Sequence, residues 1–429
     1  MSKLLVRGGR VVDPSQELDA VVDVLIEDGE VSRVGEGIRP GRYAEIVDAE
    51  GLVVTPGLID MHVHLREPGQ EYKETIETGT RAAAAGGFTA VAPMPNTDPP
   101  NDNRPVTERM VREAARHGYA RVWPIAAVSV GQRGEQMAEI GDLVGGGAVA
   151  ITDDGLPVAD AELMRRALEY SRHYDIAVIQ HAQDMSLSAG GVMHEGEWST
   201  KLGLPGWPAM AEEVVVGRDL TLLAETGGRY HVAHLSTAGS LELVRRGKAS
   251  GLPVTCEVTP HHLVLTDKAV ADTGFSTNTK MNPPLRSEAD RQALLAGLAD
   301  GTVDAIASDH APHHADEKDV EFSHAPFGVI GLETTLALCL DRLVRPGVID
   351  LLRLVELLST APARILNVPG GSLAPGSPGD VTLFSLKKRI RINADRFHSK
   401  ASNTPFHGWN LTGRAVGTIL GGRVVDPAA

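Results

Sequence analysis

The chain is poor in cysteine and in aromatic rings: it has two cysteines, Cys256 and Cys339, among 429 residues, and only 4% aromatic residues. Two thiols make no disulfide framework, and a reducing cytoplasm is the expected compartment. Cys256, in Pro253-Val254-Thr255-Cys256-Glu257-Val258, reads as a small buried hydrophobe. No apolar run is long enough to span a bilayer. The stretch Met1-Ser2-Lys3-Leu4-Leu5-Val6-Arg7-Gly8-Gly9 lacks the continuous apolar core of a signal peptide. Basic clusters are also missing, and the formal net charge is −15. That balance argues against nucleic acid or an anionic membrane as a partner.

What is present is an ordinary globular composition, 42% hydrophobic and 23% charged, in a chain long enough for one large domain and a small one. Eight short apolar runs end near His64, Asn96, Ser129, Asp154, His181, His234, His261 and Asp309. Between them lie good helix formers, which predict helices over 74–85, 106–117, 161–174, 211–225 and 288–299. This alternation predicts an α/β fold, a (β/α)8 TIM barrel over residues 56–366. In that architecture active sites lie at the C-terminal ends of the strands, where the polar residues just named fall.

The two ends of the chain resemble each other. Gly8-Gly9-Arg10-Val11-Val12-Asp13-Pro14 recurs letter for letter as residues 421–427. Alternating patterns with glycine turns flank both copies, so residues 1–55 and 367–429 are expected to form one small antiparallel β domain, a β-sandwich built from both termini. Coincidence between two glycine-initiated turns is the alternative. The Pro/Gly-rich stretch 369–379 reads as loop.

The most informative run is Pro56-Gly57-Leu58-Ile59-Asp60-Met61-His62-Val63-His64-Leu65-Arg66. Residues two apart on a strand face the same way, so His62 and His64 both point to one side, within reach of one ion. Alone, such a pair is as readily two unrelated core histidines. Four further candidates, Asp154, His181, His234 and Asp309, end other runs, and imidazole with carboxylate suits zinc or a similar divalent ion. Each has a plainer reading by itself: Asp153-Asp154-Gly155 as a turn, His181 as a core histidine. His231 and His234 compete for one role, and His234 is chosen because it lies at the strand end. Six ligands suffice for two ions if one carboxylate bridges, and Asp154, on the fourth strand, is the natural bridge. Two divalent ions less two aspartates and a bridging hydroxide leave one positive charge, which suits an anionic substrate. The bound water ionises near neutral pH and is the expected nucleophile.

At this point the chain resembles the amidohydrolase superfamily and, within it, the bacterial type I dihydroorotases. The likeness covers nearly the whole chain. It is carried by Asp60-Met61-His62-Val63-His64-Leu65-Arg66-Glu67-Pro68-Gly69, Pro93-Met94-Pro95-Asn96-Thr97, Asp153-Asp154-Gly155, Lys280-Met281-Asn282-Pro283-Pro284-Leu285-Arg286 and Ser308-Asp309-His310-Ala311-Pro312-His313. The resemblance implies reversible cyclisation of N-carbamoyl-L-aspartate to L-dihydroorotate, the third step of pyrimidine (UMP) synthesis. It implies two zinc ions per subunit, one on His62, His64 and Asp309, the other on His181 and His234, with Asp154 and hydroxide shared. Arg66, Asn96 and His313 would hold the substrate's free carboxylate, while Asn282 and the Phe327-Gly328 segment would meet the ring edge through backbone groups. Arginine's rigid fork matches a carboxylate, and strand alternation is expected to place Arg66 on the same side as the ligands. Asp309 would move the proton between the nucleophile and the ring nitrogen. The charged segment 311–328 reads as a loop over the site that orders on substrate binding.

Two rivals come with the resemblance. Hydantoinases and allantoinase bridge their metals with a carbamylated lysine on the fourth strand, but no lysine lies between Lys73 and Lys201. Inactive dihydroorotase-like chains that assemble with aspartate carbamoyltransferase have lost metal ligands, whereas this chain keeps all six. A homodimer is the expected assembly, and aspartate carbamoyltransferase stays open as a partner.

Overall fold

The computed structural model describes residues 2–39, 41 and 44–428. Met1, Pro40, Arg42, Tyr43 and Ala429, which fall in the expected terminal segments, lie outside the described residues. The large unit is a (β/α)8 barrel. Its parallel strands are Leu58–Val63, Phe88–Pro93, the interrupted third strand Arg121–Val122 with Ile125–Ala126, Ala150–Ile151, Ala177–Gln180, Arg229–Val232, Val254–Val258 and Ala305–Ile306. The third strand breaks at Trp123-Pro124, where proline offers no N–H to a ladder. Its first piece pairs with the second strand and its second piece with the fourth. The cylinder closes where Val63 bridges His310 in parallel and His64 N–H donates to the His310 carbonyl at 2.8 Å. The Asp60 carboxylate reinforces that seam by accepting from Ser308 N–H at 3.1 Å.

Helices Ile76–Gly86, Arg104–His117, Ala161–Ser171, Met210–Thr226 and Glu288–Ala299 follow the strands. Four of these five start at side-chain caps, from Thr75, Asn103, Asp160 and Ser287, each satisfying an otherwise orphaned N–H; Met210–Thr226 has none. The strands are buried on both faces, which is why they read as continuous apolar runs. Inside the barrel pack Met61, Ala92, Ile125, Ala150, Ala177, Ile179 and Ala305, closed below by Ile365 and Leu366. The opposite faces, with Val91, Ile151, Val178, Val232 and Ile306, pack on helical Leu163, Leu168, Leu223 and Leu294.

Both termini join one eight-stranded sheet, which encloses a separate core of Leu4, Val6, Val24, Ile26, Val54, Val381, Leu383 and Ile419. The sheet is not wholly antiparallel as expected. Strand Lys3–Asp13 pairs in parallel with Glu45–Asp48 over Leu4–Arg7 and with Val53–Pro56 over Arg10 and Val11, so the two short strands follow one another along it in its own direction. The repeated heptad also serves two different ends: Val11 and Val12 are fully buried, whereas Val424 is 48% exposed.

Candidate metal centre

Six candidate ligands rise from five of the eight strands to one spot at the mouth of the barrel. His62 lies on the first strand and His64 just beyond it; Asp154, His181, His234 and Asp309 follow the fourth, fifth, sixth and eighth strands. All six are buried. Two triplets, His62–His64–Asp154 and Asp154–His181–His234, bring their donor atoms within 4.8 Å of one another, and Asp154 belongs to both. Its Oδ1 lies 3.5 Å from His62 Nε2 and 3.4 Å from both His181 Nδ1 and His234 Nε2, while Oδ2 lies 3.6 Å from His64 Nε2. Asp309 Oδ1 stands 3.1 Å from His64 Nε2 and 3.6 Å from His62 Nε2.

These residues fit a divalent metal. Ligands about 2.0–2.1 Å from a tetrahedral ion are separated by about 3.4 Å, which matches the Asp154 distances. His62 Nε2 and Asp154 Oδ1 are buried with no hydrogen-bond partner, a costly state for polar atoms unless something is coordinated there. His181 Nδ1 and His234 Nε2 face each other at 2.9 Å. Burial opposes ionisation of Asp154 and Asp309, but the surrounding imidazoles outweigh it and hold both carboxyls well below the usual range. His234 and Asp309 sit at φ +30° and +48°, the left-handed region that non-glycine residues rarely adopt and that clusters at functional sites.

A second layer of side chains aims the ligands, and sequence reasoning missed most of it. Glu257, inside the seventh strand, accepts from His62 Nδ1 at 2.6 Å and lies 3.4 Å from His231 Nε2. Burial raises its pKa, but His62 and His231 bring it down to about 2, so it is a carboxylate. His231, the rival to His234, therefore points away from the pocket, toward Glu257 and Thr255. His181 Nε2 is held by Gln183 Oε1 at 2.9 Å, and Asn282 Nδ2 donates to that same oxygen at 3.0 Å. Such partners fix tautomer and ring orientation. The signal for Glu257 was a lone acid inside an otherwise apolar strand.

The pocket above is lined by His64, Arg66, Asn96, Asp154, His181, His234, Asn282, Asp309, His313, Phe327 and Gly328, with Gly155 and Ala311. Every expected site residue reaches it except His62, which lies beneath. Arg66 arrives by a different route from the expected one. The strand ends at Val63, and Arg66 takes φ +62° in the turn beyond, with Nε donating to the Pro312 carbonyl at 3.2 Å. Burial lowers its pKa to about 10, leaving it cationic at neutral pH. Asn96 Oδ1 bonds His64 Nδ1 at 2.8 Å, and Asn282 Oδ1 is buried without a partner. His313 Nε2 meets the Phe327 carbonyl at 2.8 Å. Burial, with Arg66, Lys318 and Lys73 nearby, lowers His313 to about 3, so it is a neutral imidazole. The 311–328 segment is more ordered than its composition suggested. It contains the short helix Ala315–Lys318, and the Lys318 ammonium is buried against the carbonyls of Pro326 and Thr277 at 2.8 and 3.2 Å.

Known proteins resemble this chain over almost its whole length. A family model described as dihydro-orotase-like matches residues 51–240. A dihydroorotase from Citrifermentans bemidjiense is 53% identical over 99% of this chain and 100% of its own. One from Anaeromyxobacter sp. (strain K) is 54% identical over 98% and 97%, and one from Acetivibrio thermocellus is 49% identical over 98% of both. Among solved structures, an L-hydantoinase (dihydropyrimidinase) from Arthrobacter aurescens superposes with a TM-score of 0.89 at 25% identity, covering 99% of this chain and 96% of that one. A D-hydantoinase (dihydropyrimidinase) from Thermus sp. gives 0.83 at 24%, covering 98% and 94%, and supports the barrel fold.

Proposed function

This chain belongs to the dihydroorotase family, and from that premise we propose that it interconverts N-carbamoyl-L-aspartate and L-dihydroorotate, with water as the other product of ring closure, on a pair of zinc ions. The observation that carries this reading is the pair of donor triplets sharing Asp154 beneath a pocket that presents Arg66. His62, His64 and Asp309 would hold one ion, His181 and His234 the other, with Asp154 between them. Bound there, such ions would supply a water ionised near neutral pH and a Lewis acid for the carbonyl.

The chain's own residues do the rest. Asp309, a carboxylate at the edge of the pocket, takes the nucleophile's proton and returns it to the ring nitrogen when the ring opens. On closure it removes a proton from the ureido nitrogen. Arg66 pairs its fork with the substrate's free carboxylate, with Asn96 and His313 beside it. Asn282 Oδ1, buried and unpartnered, is an acceptor for a ring N–H. Glu257 and Gln183 keep His62 and His181 aimed. Two buried, unpaired thiols suit a cytoplasmic enzyme.

The hydantoinase neighbours favour a second reading, hydrolysis of other cyclic amides. It is disfavoured by the residue at the bridging position, an aspartate where that reading requires a modified lysine. Turnover of dihydroorotate, hydantoin and allantoin under the same conditions tests the choice. Dihydroorotate should be strongly preferred, and equal or faster hydantoin turnover would overturn the proposal.

A further inference from the structure

Asn403 lies on the C-terminal segment, outside the barrel strands and helices, yet is only 4% exposed. Its carboxamide grips both ends of the 311–328 loop. Nδ2 donates to the carbonyls of Ala311 at 3.0 Å and Gly328 at 3.1 Å, and Oδ1 accepts from His313 N–H at 3.2 Å. Its backbone carbonyl accepts from Ile330 N–H at 3.0 Å. Only a side-chain amide supplies two donors and an acceptor from one neutral planar group. A carboxylate lacks the donors, and a hydroxyl lacks the second.

The segment carrying Asn403 is itself tied to the barrel. Glu333 accepts from the N–H groups of His398 and Ser399 at 2.7 and 3.2 Å. Glu74, fully buried just before the first barrel helix, accepts from the Ser399 hydroxyl and from Lys400 N–H. At the far end there is no slack. Gly328 sits at φ +126°, and a Cβ there would lie 2.8 Å from Ala311 Cβ and 3.1 Å from His313 Nε2.

We infer that Asn403 is a positioning residue: a strut from the C-terminal segment that pins the loop ends and so sets where His313 and Gly328 stand in the pocket. The inference rests on reading those two residues as substrate contacts. Asn403 touches no reacting atom; it fixes the groups that do, and a small misplacement of such groups is costly.

Asn403→Ala should raise KM for dihydroorotate about tenfold while kcat changes less than about threefold. Metal content should be unchanged, and cleavage by a glutamate-specific protease at exposed Glu321 should accelerate. Asn403→Asp keeps the acceptor for His313 N–H but turns a carboxylate oxygen onto the Ala311 and Gly328 carbonyls, so it should raise KM and cleavage rate at least as much as Asn403→Ala. It also carries the test if the alanine variant does not fold. His313→Ala separates the two readings. If it raises KM while the Asn403 variants keep wild-type KM and cleavage, the strut is overturned. If His313→Ala leaves KM unchanged, the substrate-contact reading fails, and faster cleavage in the Asn403 variants still supports the pinned loop. Loss of metal together with kcat at a wild-type cleavage rate would make Asn403 a general structural residue and overturn the inference.

Discussion

The two walls of the pocket are held by different chemistry. The metal wall stands on strand ends, and its key imidazole, His62, is backed by the buried carboxylate of Glu257. The loop wall, with His313, Phe327 and Gly328, hangs from the neutral carboxamide of Asn403 and from buried ammonium groups donating to carbonyls. The contrast follows from what each wall has to do. Cations need negative charge and rigid donors close by. A wall that admits an anion is better held by neutral amides and cations, which fix the backbone without adding negative charge beside the substrate.

Variants should separate the walls, the metal wall giving the largest effects. Asp154→Ala removes the only residue common to both triplets. Turnover should fall about a thousandfold, and elemental analysis should find less than half the wild-type metal; unchanged stoichiometry would refute the shared ligand. Asp309→Asn should lose about 10²–10⁴ in kcat yet keep most of its metal. Near-normal turnover in a metal-replete sample would remove Asp309 from proton transfer. Glu257→Gln keeps the shape and removes the charge, so chelator competition should show metal affinity about 10–100-fold weaker, with KM little changed. An effect on KM alone would erase the distinction between the walls.

The smallest effect belongs to Lys318 on the loop wall. Burial, aided by Lys280, lowers it from 10.5 to about 7 in the folded chain. Between those values the unfolded chain binds the proton more tightly, so stability should rise with pH across that window. Lys318→Met should flatten the rise by on the order of 1 kcal/mol, read from urea denaturation at pH 7 and pH 9.5. An identical pH slope in both proteins would show that this ammonium is not desolvated.

The convergence of six donors was legible because His62 and His64 close the first apolar run and the other four each end a run of their own, and a parallel barrel brings every strand end to one face. The support behind them was not. Glu257 sits mid-strand, and its partner His62 is 195 residues away, so no local pattern links them. Asn403 lies in a stretch with no periodicity, and its role exists only because the chain returns to the barrel mouth. Arg66 reaches the pocket by a route that strand alternation does not describe: the strand has already ended, and a left-handed turn swings it there. In the terminal sheet, alternation marked the strands but carried no information on direction, so the parallel pairings beside Lys3–Asp13 were missed.

The central claim is that two ions, held by these two triplets, make the chemistry possible. Its most direct test is to strip the purified protein with a chelator and titrate zinc back while following dihydroorotate turnover. Activity should vanish on stripping, return with added metal and saturate at two equivalents per chain. Undiminished turnover by the metal-free protein would contradict the account.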